Sequence, residues 1–258
     1  MSQFTRAIVR PPASTFSDGL TRVDLGMPDH NRALSQHEQY CNALTKCGLS
    51  LIRLEPNADF PDSTFVEDTA LLTERGAVLT RPGAEPRMGE VAAIEPVLRE
   101  FFPDFRRIEP PGTVDAGDVC EAGNHFFIGW SHRTNEIGAR QLASFLNEWD
   151  YTSSLIDIRE ISNILHLKSG IAFLGDNCLV ATDELVQRSE FRAFELIRVP
   201  AGEDYAANCL SVNGKVLIAA GFPLLAQQLK RLGFDVIALE MSEFQKMDGG
   251  LSCLSLRF

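Results

Sequence analysis

The chain has 258 residues, of which 45% are hydrophobic and 23% charged, and its formal net charge is −11. That length fits one large domain or two small ones and can bury a sizeable core. The acidic balance argues against nucleic acid and anionic membrane surfaces as partners, since both need a basic patch. It suits a cationic small molecule, and it also serves plain solubility.

The start MSQFTRAIVR lacks the apolar core of a secretory signal, and no apolar run approaches the ~20 residues that span a bilayer. Cysteines stand at 41, 47, 120, 178, 209 and 253, without a C-x-x-C pair or a tight Cys/His cluster of structural-zinc spacing. The expectation is therefore reduced thiols in the cytoplasm.

Taken in chain order, one unit of strand, turn, strand, helix and strand recurs. QFTRAIVR reads as a strand, DHNRALSQHEQYCNALTKCG as a helix and LSLIRLE as the strand after it. FVEDTALLT and AVLTRP form a hairpin about ERG, followed by the helix MGEVAAIEPVLREFF and the extended RRIEPP. AGDVCEA and HFFIGWS come next, with the helix NEIGARQLASFLNEW and the strand SSLIDI. GIAFLG and CLVAT follow, with a helical SEFRAFE and the strand LIRVP. ANCLSV and KVLIAA are joined by Asn-Gly, and LLAQQLKRLG and FDVIAL complete that copy. The hairpin glycines fall at 76, 123, 175 and 214, where such turns favour positive φ.

A fifth copy exists only if the termini are joined, with GGLSCLSLRF pairing with QFTRAIVR. This predicts an α/β fold, a five-bladed α/β propeller with pseudo-five-fold repeats, closed by pairing of the N- and C-terminal strands. The competing fold is a three-layer α/β sheet with irregular strand order. Residues 1–258 are expected to form a single catalytic domain.

In such a ring the polar residues entering each first strand converge on the axis. They are Glu67 with Asp68, Asp115 with Asp118, His166, Asn208, and Asp248 with Cys253. Cys253 is either a small hydrophobe on the last strand or a nucleophile, which would need its thiol activated. The glycines of DGGLSC permit a close backbone approach beside it. His166 lies in the apolar run ILHLKSG, where a lone histidine is commonly a hydrogen-bonded core residue; the sharper reading is a general acid or base. The carboxylates of FPDSTFVED and VDAGD are too dense for a solvated face. Together they call for a cation, a proton or backbone donors, and a magnesium or calcium site stays open. Arg81, Arg87 and Arg133 follow second strands; each is a surface residue or a grip for a substrate carboxylate, placed toward the rim. The complement is a molecule cationic at one end and carboxylate-bearing at the other, as arginine-like compounds are.

FPDSTFVED, TRPGA, AGD, RTNEIGARQ, LHLKSG, YAANC and DGGLSCLSLRF resemble the dimethylarginine dimethylaminohydrolases of the guanidine-modifying (pentein) superfamily. The resemblance covers essentially the whole chain, with the motifs in the same order, and implies the five-bladed α/β propeller. It implies that Cys253 attacks the guanidinium carbon and that a covalent thiouronium follows. His166 would protonate the departing amine and then activate water, and Asp115 would hold the guanidinium and the histidine. Glu67 and Asp68 would line the guanidinium pocket, Asp62 would face the substrate amino group, and Arg87 and Arg133 would grip its carboxylate. Leu20, in SDGL, would belong to a loop over the site. Citrulline and dimethylamine would be the products, with no cofactor and no metal.

Two features depart from the pattern. Asp115 stands where bacterial relatives usually carry glutamate, and Met88 follows Arg87 where a second basic residue is usual. The first leaves the preference among methylated arginines open, and the second weakens a rim contact. The alternatives are another guanidine or ureido hydrolase on the same scaffold (arginine deiminase, agmatine deiminase or citrulline hydrolase), a non-catalytic five-fold binding module, and a metal-dependent hydrolase. Neither the state of assembly, a homodimer included, nor a part in nitric-oxide regulation follows from these residues.

Overall fold

The computed structural model describes residues 3–258; Met1 and Ser2 lie outside them. In chain order the elements are β1 (Arg6–Val9), α1 (His30–Lys46), β2 (Ser50–Arg53), β3 (Ala70–Leu72), β4 (Ala77–Leu79), α2 (Val91–Phe101) and β5 (Phe105–Arg107). There follow β6 (Val119–Ala122), β7 (His125–Trp130), α3 (Glu136–Glu148), β8 (Thr152–Asp157), β9 (Ile171–Gly175), β10 (Cys178–Ala181), α4 (Asp183–Val186) and β11 (Glu195–Arg198). The last are β12 (Leu210–Val212), β13 (Lys215–Ala219), α5 (Pro223–Arg231), β14 (Asp235–Leu239), α6 (Ser242–Gln245) and β15 (Leu256–Arg257).

The strands form five three-stranded sheets of one design: β15-β1-β2, β3-β4-β5, β6-β7-β8, β9-β10-β11 and β12-β13-β14. In each, the middle strand pairs antiparallel with the first and parallel with the third. The parallel pair is joined through the helical segment, because a parallel neighbour cannot be reached by a tight turn. The predicted repeat is thus present five times. The termini do pair: Ala7 faces Arg257, Ile8 faces Leu256, and Thr5 N donates to Phe258 O at 2.8 Å.

The described residues fall into two compact units, one running to Val66 and resuming at Gly170–Phe258, the other Glu67–Ser169. The first holds three of the sheets. One core joins α1, β1 and the C-terminal segment through Tyr40, Leu44, Phe16, Phe65 and Phe244, and a second lies between β10, β13 and α5. The Glu67–Ser169 unit holds two sheets and packs Phe126, Ile128, Leu142, Leu146 and Trp149 into its own core.

Three local expectations are corrected. Cys253 is not on a strand: it sits in a 3-10 turn, Ser252–Leu254, and only Leu256–Arg257 is extended. The side chain of Asn208 claims the backbone N–H of Ser252 at 2.9 Å, so that donor never enters a ladder. SEFRAFE is not a full helix. Its place is taken by the one-turn α4 and a 3-10 turn, Ser189–Phe191, since a short polar stretch lacks an apolar face long enough to nucleate and dock. Finally, Gly123, Gly175 and Gly214 have the positive φ read from the sequence, whereas Gly76 does not. Gly76 is required by space: a Cβ there would lie 2.6 Å from both Asp104 O and the Trp149 ring.

Candidate active site

The polar residues entering the first strands lie in or beside 3-10 turns: Val66–Thr69, Ala116–Asp118, Leu167–Ser169, Asp204–Ala207 and Ser252–Leu254. The sequence placed them at the entry of the first strands, without a turn of their own. The tighter turn instead frees their side chains from a ladder and aims backbone N–H groups at them.

In the Glu67–Ser169 unit three of these turns build one buried cluster. His166 Nε2 lies 3.0 Å from Asp115 Oδ2 and Nδ1 lies 4.0 Å from Asp68 Oδ1. Burial opposes charge on this imidazole, but Asp68, then Asp118 and Asp115, outweigh it and raise its pKa from 6.5 to about 9. His166 is therefore an imidazolium at neutral pH. Burial likewise opposes ionisation of Asp68, yet His166 and Arg87 overcome it and hold the carboxyl down at about 2. Asp115 Oδ1 accepts from Gly83 N at 2.7 Å, and Asp68 Oδ1 from Gly117 N at 3.0 Å. Gly117 can only be glycine, because a Cβ would come within 2.8 Å of both Asp68 Oδ1 and His166 Nδ1.

Arg87 is corrected in place, though not in neighbourhood. It is 5% exposed and does not stand at a rim. Its Nη1 donates to Asp68 Oδ2 at 2.6 Å, while Nε and Nη2 form a forked pair with Glu90 at 2.9 and 2.8 Å. A guanidinium can be buried only when braced in this way. Arg81 instead reaches the backbone, donating from Nη1 to Gly112 O at 3.3 Å. Arg133 is different again: its Nη1 is buried with no hydrogen-bond partner. An orphaned cationic donor costs free energy unless an anion completes it. Glu67 pairs with Lys168 Nζ at 2.7 Å.

The other unit contains Cys253, Asp62 and Leu20. Cys253 is half-buried, and its Sγ accepts from Gly250 N at 3.5 Å. The turn carrying it is fastened from several sides. Asn208 exchanges two hydrogen bonds with Ser252, at 2.9 and 3.0 Å, and Tyr205 OH donates to Gly249 O at 2.7 Å. Burial, and then the negative charge of a Cys253 thiolate, push the Tyr205 phenol far up, so it stays a donor. Asp248 turns the chain with φ 57°, and Gly250 packs so closely that a Cβ would lie 2.5 Å from the Asn208 amide. Asp62, 6% exposed, accepts from Leu20 N through both oxygens at 3.2 and 3.1 Å. Leu20 itself is exposed at the start of a run that also exposes Val23, Leu25 and Met27.

Sequence reasoning missed Glu90, Lys168 and Tyr205. The i,i+3 spacing of Arg87 and Glu90 was the one available signal; nothing local marks the other two.

One oxygen each of Asp68 and Asp115 and a nitrogen of His166 lie within 4.8 Å of one another, a spacing that also suits a metal ion. The bonds already made fit a proton better. Asp68 is taken by Arg87 and Gly117, Asp115 by Gly83, and three carboxylates hold the imidazole protonated. The cluster can donate a proton and receive a cation; the Cys253 turn can present a thiolate to an electrophile.

A family model described as arginine deiminase matches residues 52–204. The N(G),N(G)-dimethylarginine dimethylaminohydrolase of Pseudomonas aeruginosa is 46% identical over 99% of this chain and 100% of its own length. The enzyme of that name from Streptomyces coelicolor is 33% identical, over 98% of this chain and 96% of its own. A solved Pseudomonas aeruginosa structure, a cysteine-to-serine variant complexed with citrulline, superposes with a TM-score of 0.97, 46% identity and full coverage of both chains. That likeness shows the five-fold α/β fold class read from the repeats. Among the described residues no helix is long and apolar enough to cross a membrane.

Proposed function

We propose that this chain, which belongs to the dimethylarginine dimethylaminohydrolase family, hydrolyses asymmetric N,N-dimethylarginine and N-monomethylarginine to citrulline and dimethylamine or methylamine. The observation that carries the reading is the buried imidazolium of His166 among Asp68, Asp115 and Asp118. A leaving amine needs a proton, and an acid that is still charged at neutral pH can supply it.

In this reading the carboxylates of Asp115, Asp68 and Glu67 take the guanidinium nitrogens and orient the carbon for attack. The bound cation favours the Cys253 thiolate, to which Gly250 N already donates. Sγ bonds to the guanidinium carbon, and the carbon–nitrogen bond to the methylated amine breaks as His166 gives that nitrogen its proton. A thiouronium ester remains. Neutral His166 then takes one proton from water, whose oxygen attacks the same carbon; the carbon–sulfur bond breaks, the remaining hydroxyl proton passes to the departing sulfur, and citrulline leaves.

Arg133 takes the substrate carboxylate through its unpartnered Nη1, and Arg87, braced by Asp68 and Glu90, is held rigid for the same anion. Asp62, tied to Leu20 N, serves the amino group beneath the Leu20 loop. Residues 1–258 act as a single catalytic domain, cytoplasmic and with reduced thiols. The shorter Asp115 bears on which methylated arginine is preferred.

The test is a side-by-side assay of dimethylarginine, monomethylarginine, arginine, agmatine and citrulline with a chelator present, with mass spectrometry for a covalent adduct on Cys253. Citrulline formed from the methylated substrates, with the adduct, supports the reading. Turnover of arginine or agmatine alone replaces the substrate and keeps the mechanism. No turnover and no adduct overturns the proposal.

A further inference from the structure

Asp118 is fully buried and, beyond its charge beside His166, has no step of its own in the chemistry above. Its Oδ1 accepts from Leu167 N at 3.0 Å, the peptide directly after His166. Its Oδ2 accepts from Ser131 Oγ at 2.6 Å and Thr134 Oγ1 at 2.7 Å, the two hydroxyls that flank Arg133. Ser131 Oγ in turn accepts from Arg133 N at 2.9 Å and Thr134 N at 3.0 Å, and Thr134 Oγ1 accepts from Asp115 N at 3.1 Å.

The donor count leaves little freedom. A hydroxyl has one proton and two lone pairs. Both lone pairs of Ser131 are taken by backbone N–H groups, so its proton must go to Asp118. Each of these three neighbours of Asp118 is thus a donor, and only an acceptor with two oxygens satisfies them. An amide at 118 would turn an N–H toward one of them. A longer side chain has no room: a Cβ on Gly129 would already lie 3.0 Å from Asp118 Oδ1.

Keeping a carboxylate here is costly. Burial raises its pKa to about 6, against the lowering by His166, Ser131 and Thr134. An apolar side chain of like size would fill the same space without that cost, which argues that the hydrogen bonds are what the site retains.

We propose that Asp118 is a positioning residue for the reaction read above, its carboxylate tying the main chains at His166, Arg133 and Asp115 into one register so that the proton donor and the carboxylate grip are set together. This rests on the reading given under the proposed function. It names a residue that touches no substrate and acts through three that do.

The test is Asp118→Asn, shown folded by circular dichroism and thermal melting, and assayed on dimethylarginine alone and in an Arg133→Met background. The expected result is kcat lowered about tenfold to a hundredfold and KM raised, as a displaced proton donor and grip together require. In the Arg133→Met background the KM effect disappears while the kcat effect stays. Histidine-selective NMR of the free protein gives a second reading. The groups facing His166 are Asp68, Asp115 and Asp118, so removing the charge of Asp118 lowers the imidazole titration midpoint.

An aspartate that merely stabilises the fold would lower the melting temperature, leave kcat and KM near wild type once folded, and cost the same factor in both backgrounds; that result overturns the proposal. Should Asp118→Asn not fold, Ser131→Ala loosens the Arg133–Thr134 turn while leaving the Leu167 N bond to Asp118 in place; it is expected to raise KM more than it lowers kcat, and the reverse result overturns the proposal. If the wild type hydrolyses no methylated arginine, the reaction reading and the proposal that rests on it fail together; an active wild type beside an Asp118→Asn variant that keeps its kcat and KM overturns the positioning claim alone.

Discussion

The Ala116–Asp118 turn and the Ser252–Leu254 turn hold the same place in two copies of one repeat, each just ahead of a first strand. Around the former everything is charge: Asp115 and Asp118 are fully buried and surrounded by donors, with His166 and Arg87 balancing the carboxylates of the cluster. Around the latter everything is backbone and amide: Asn208, Tyr205 and the Gly250 N–H shape a turn that leaves its thiol half-exposed. A buried acid must be braced against its own desolvation, whereas a thiol needs only a fixed direction and a donor. One supersecondary position therefore presents two kinds of polar group, a buried carboxylate and a half-buried thiol, at very different energetic cost.

The sharpest way to break this comparison is Cys253→Ser. A serine hydroxyl can still accept from Gly250 N, so the variant should melt near wild type while turnover falls by about a thousandfold or more. A folded, active serine variant would remove the thiol from the chemistry. Next in size is Glu90→Gln, which strips one charge from the brace of a buried guanidinium. Breaking such a pair costs about 3 kcal/mol in urea unfolding, and a cost near zero would show that the cluster is not held by charge.

Arg133→Met should act on the other side of the ledger. It removes a donor that has no partner in the free protein, so stability should hold or rise by about 1 kcal/mol. KM should rise about tenfold to a hundredfold for a charge-assisted bond to a carboxylate; an unchanged KM would place the substrate anion elsewhere. Gly250→Ala tests the backbone-built turn. Its Cβ would sit 2.5 Å from the Asn208 amide, and such overpacking costs about 1–3 kcal/mol.

The remaining expected effect is a slope with pH. His166 binds its proton more tightly folded than unfolded, so its contribution is fully present below pH 6.5 and is lost as pH rises to about 9. Asp68 runs the other way: its contribution is present above pH 3.8 and is lost as pH falls through about 2. Thermal melts of wild type between pH 6.5 and 9 should fall more steeply than those of His166→Gln, and parallel slopes would contradict the imidazolium.

Much of the architecture is legible in the residues because its signals are local. Asn213-Gly214 between apolar runs forms the positive-φ turn that such a pair favours, and the amphipathic 135–149 stretch forms α3 where its periodicity puts it. The stretch around SEFRAFE is too short and polar to carry such a signal, and there the expected helix shrinks to single turns. The candidate site divides in the same way. Asp68, Asp115, His166 and Cys253 stand out as polar residues at the entry of each first strand. Tyr205 behind Gly249 and Lys168 beside Glu67 do not, because each partner is chosen across the fold and not along the chain; Glu90 behind Arg87 leaves only an i,i+3 spacing, which many surface pairs share.

The order of the elements and the five-fold repeat follow from the sequence by itself, since turn chemistry and hydrophobic period act over a few neighbouring residues. Tertiary structure alone decided that Arg87 is a braced, buried cation while Arg133 keeps an open donor. It also decided that His166 is charged and that Cys253 rides on a turn and not a strand. Those outcomes depend on desolvation and on donors arriving from distant segments, and both exist only once the chain has packed.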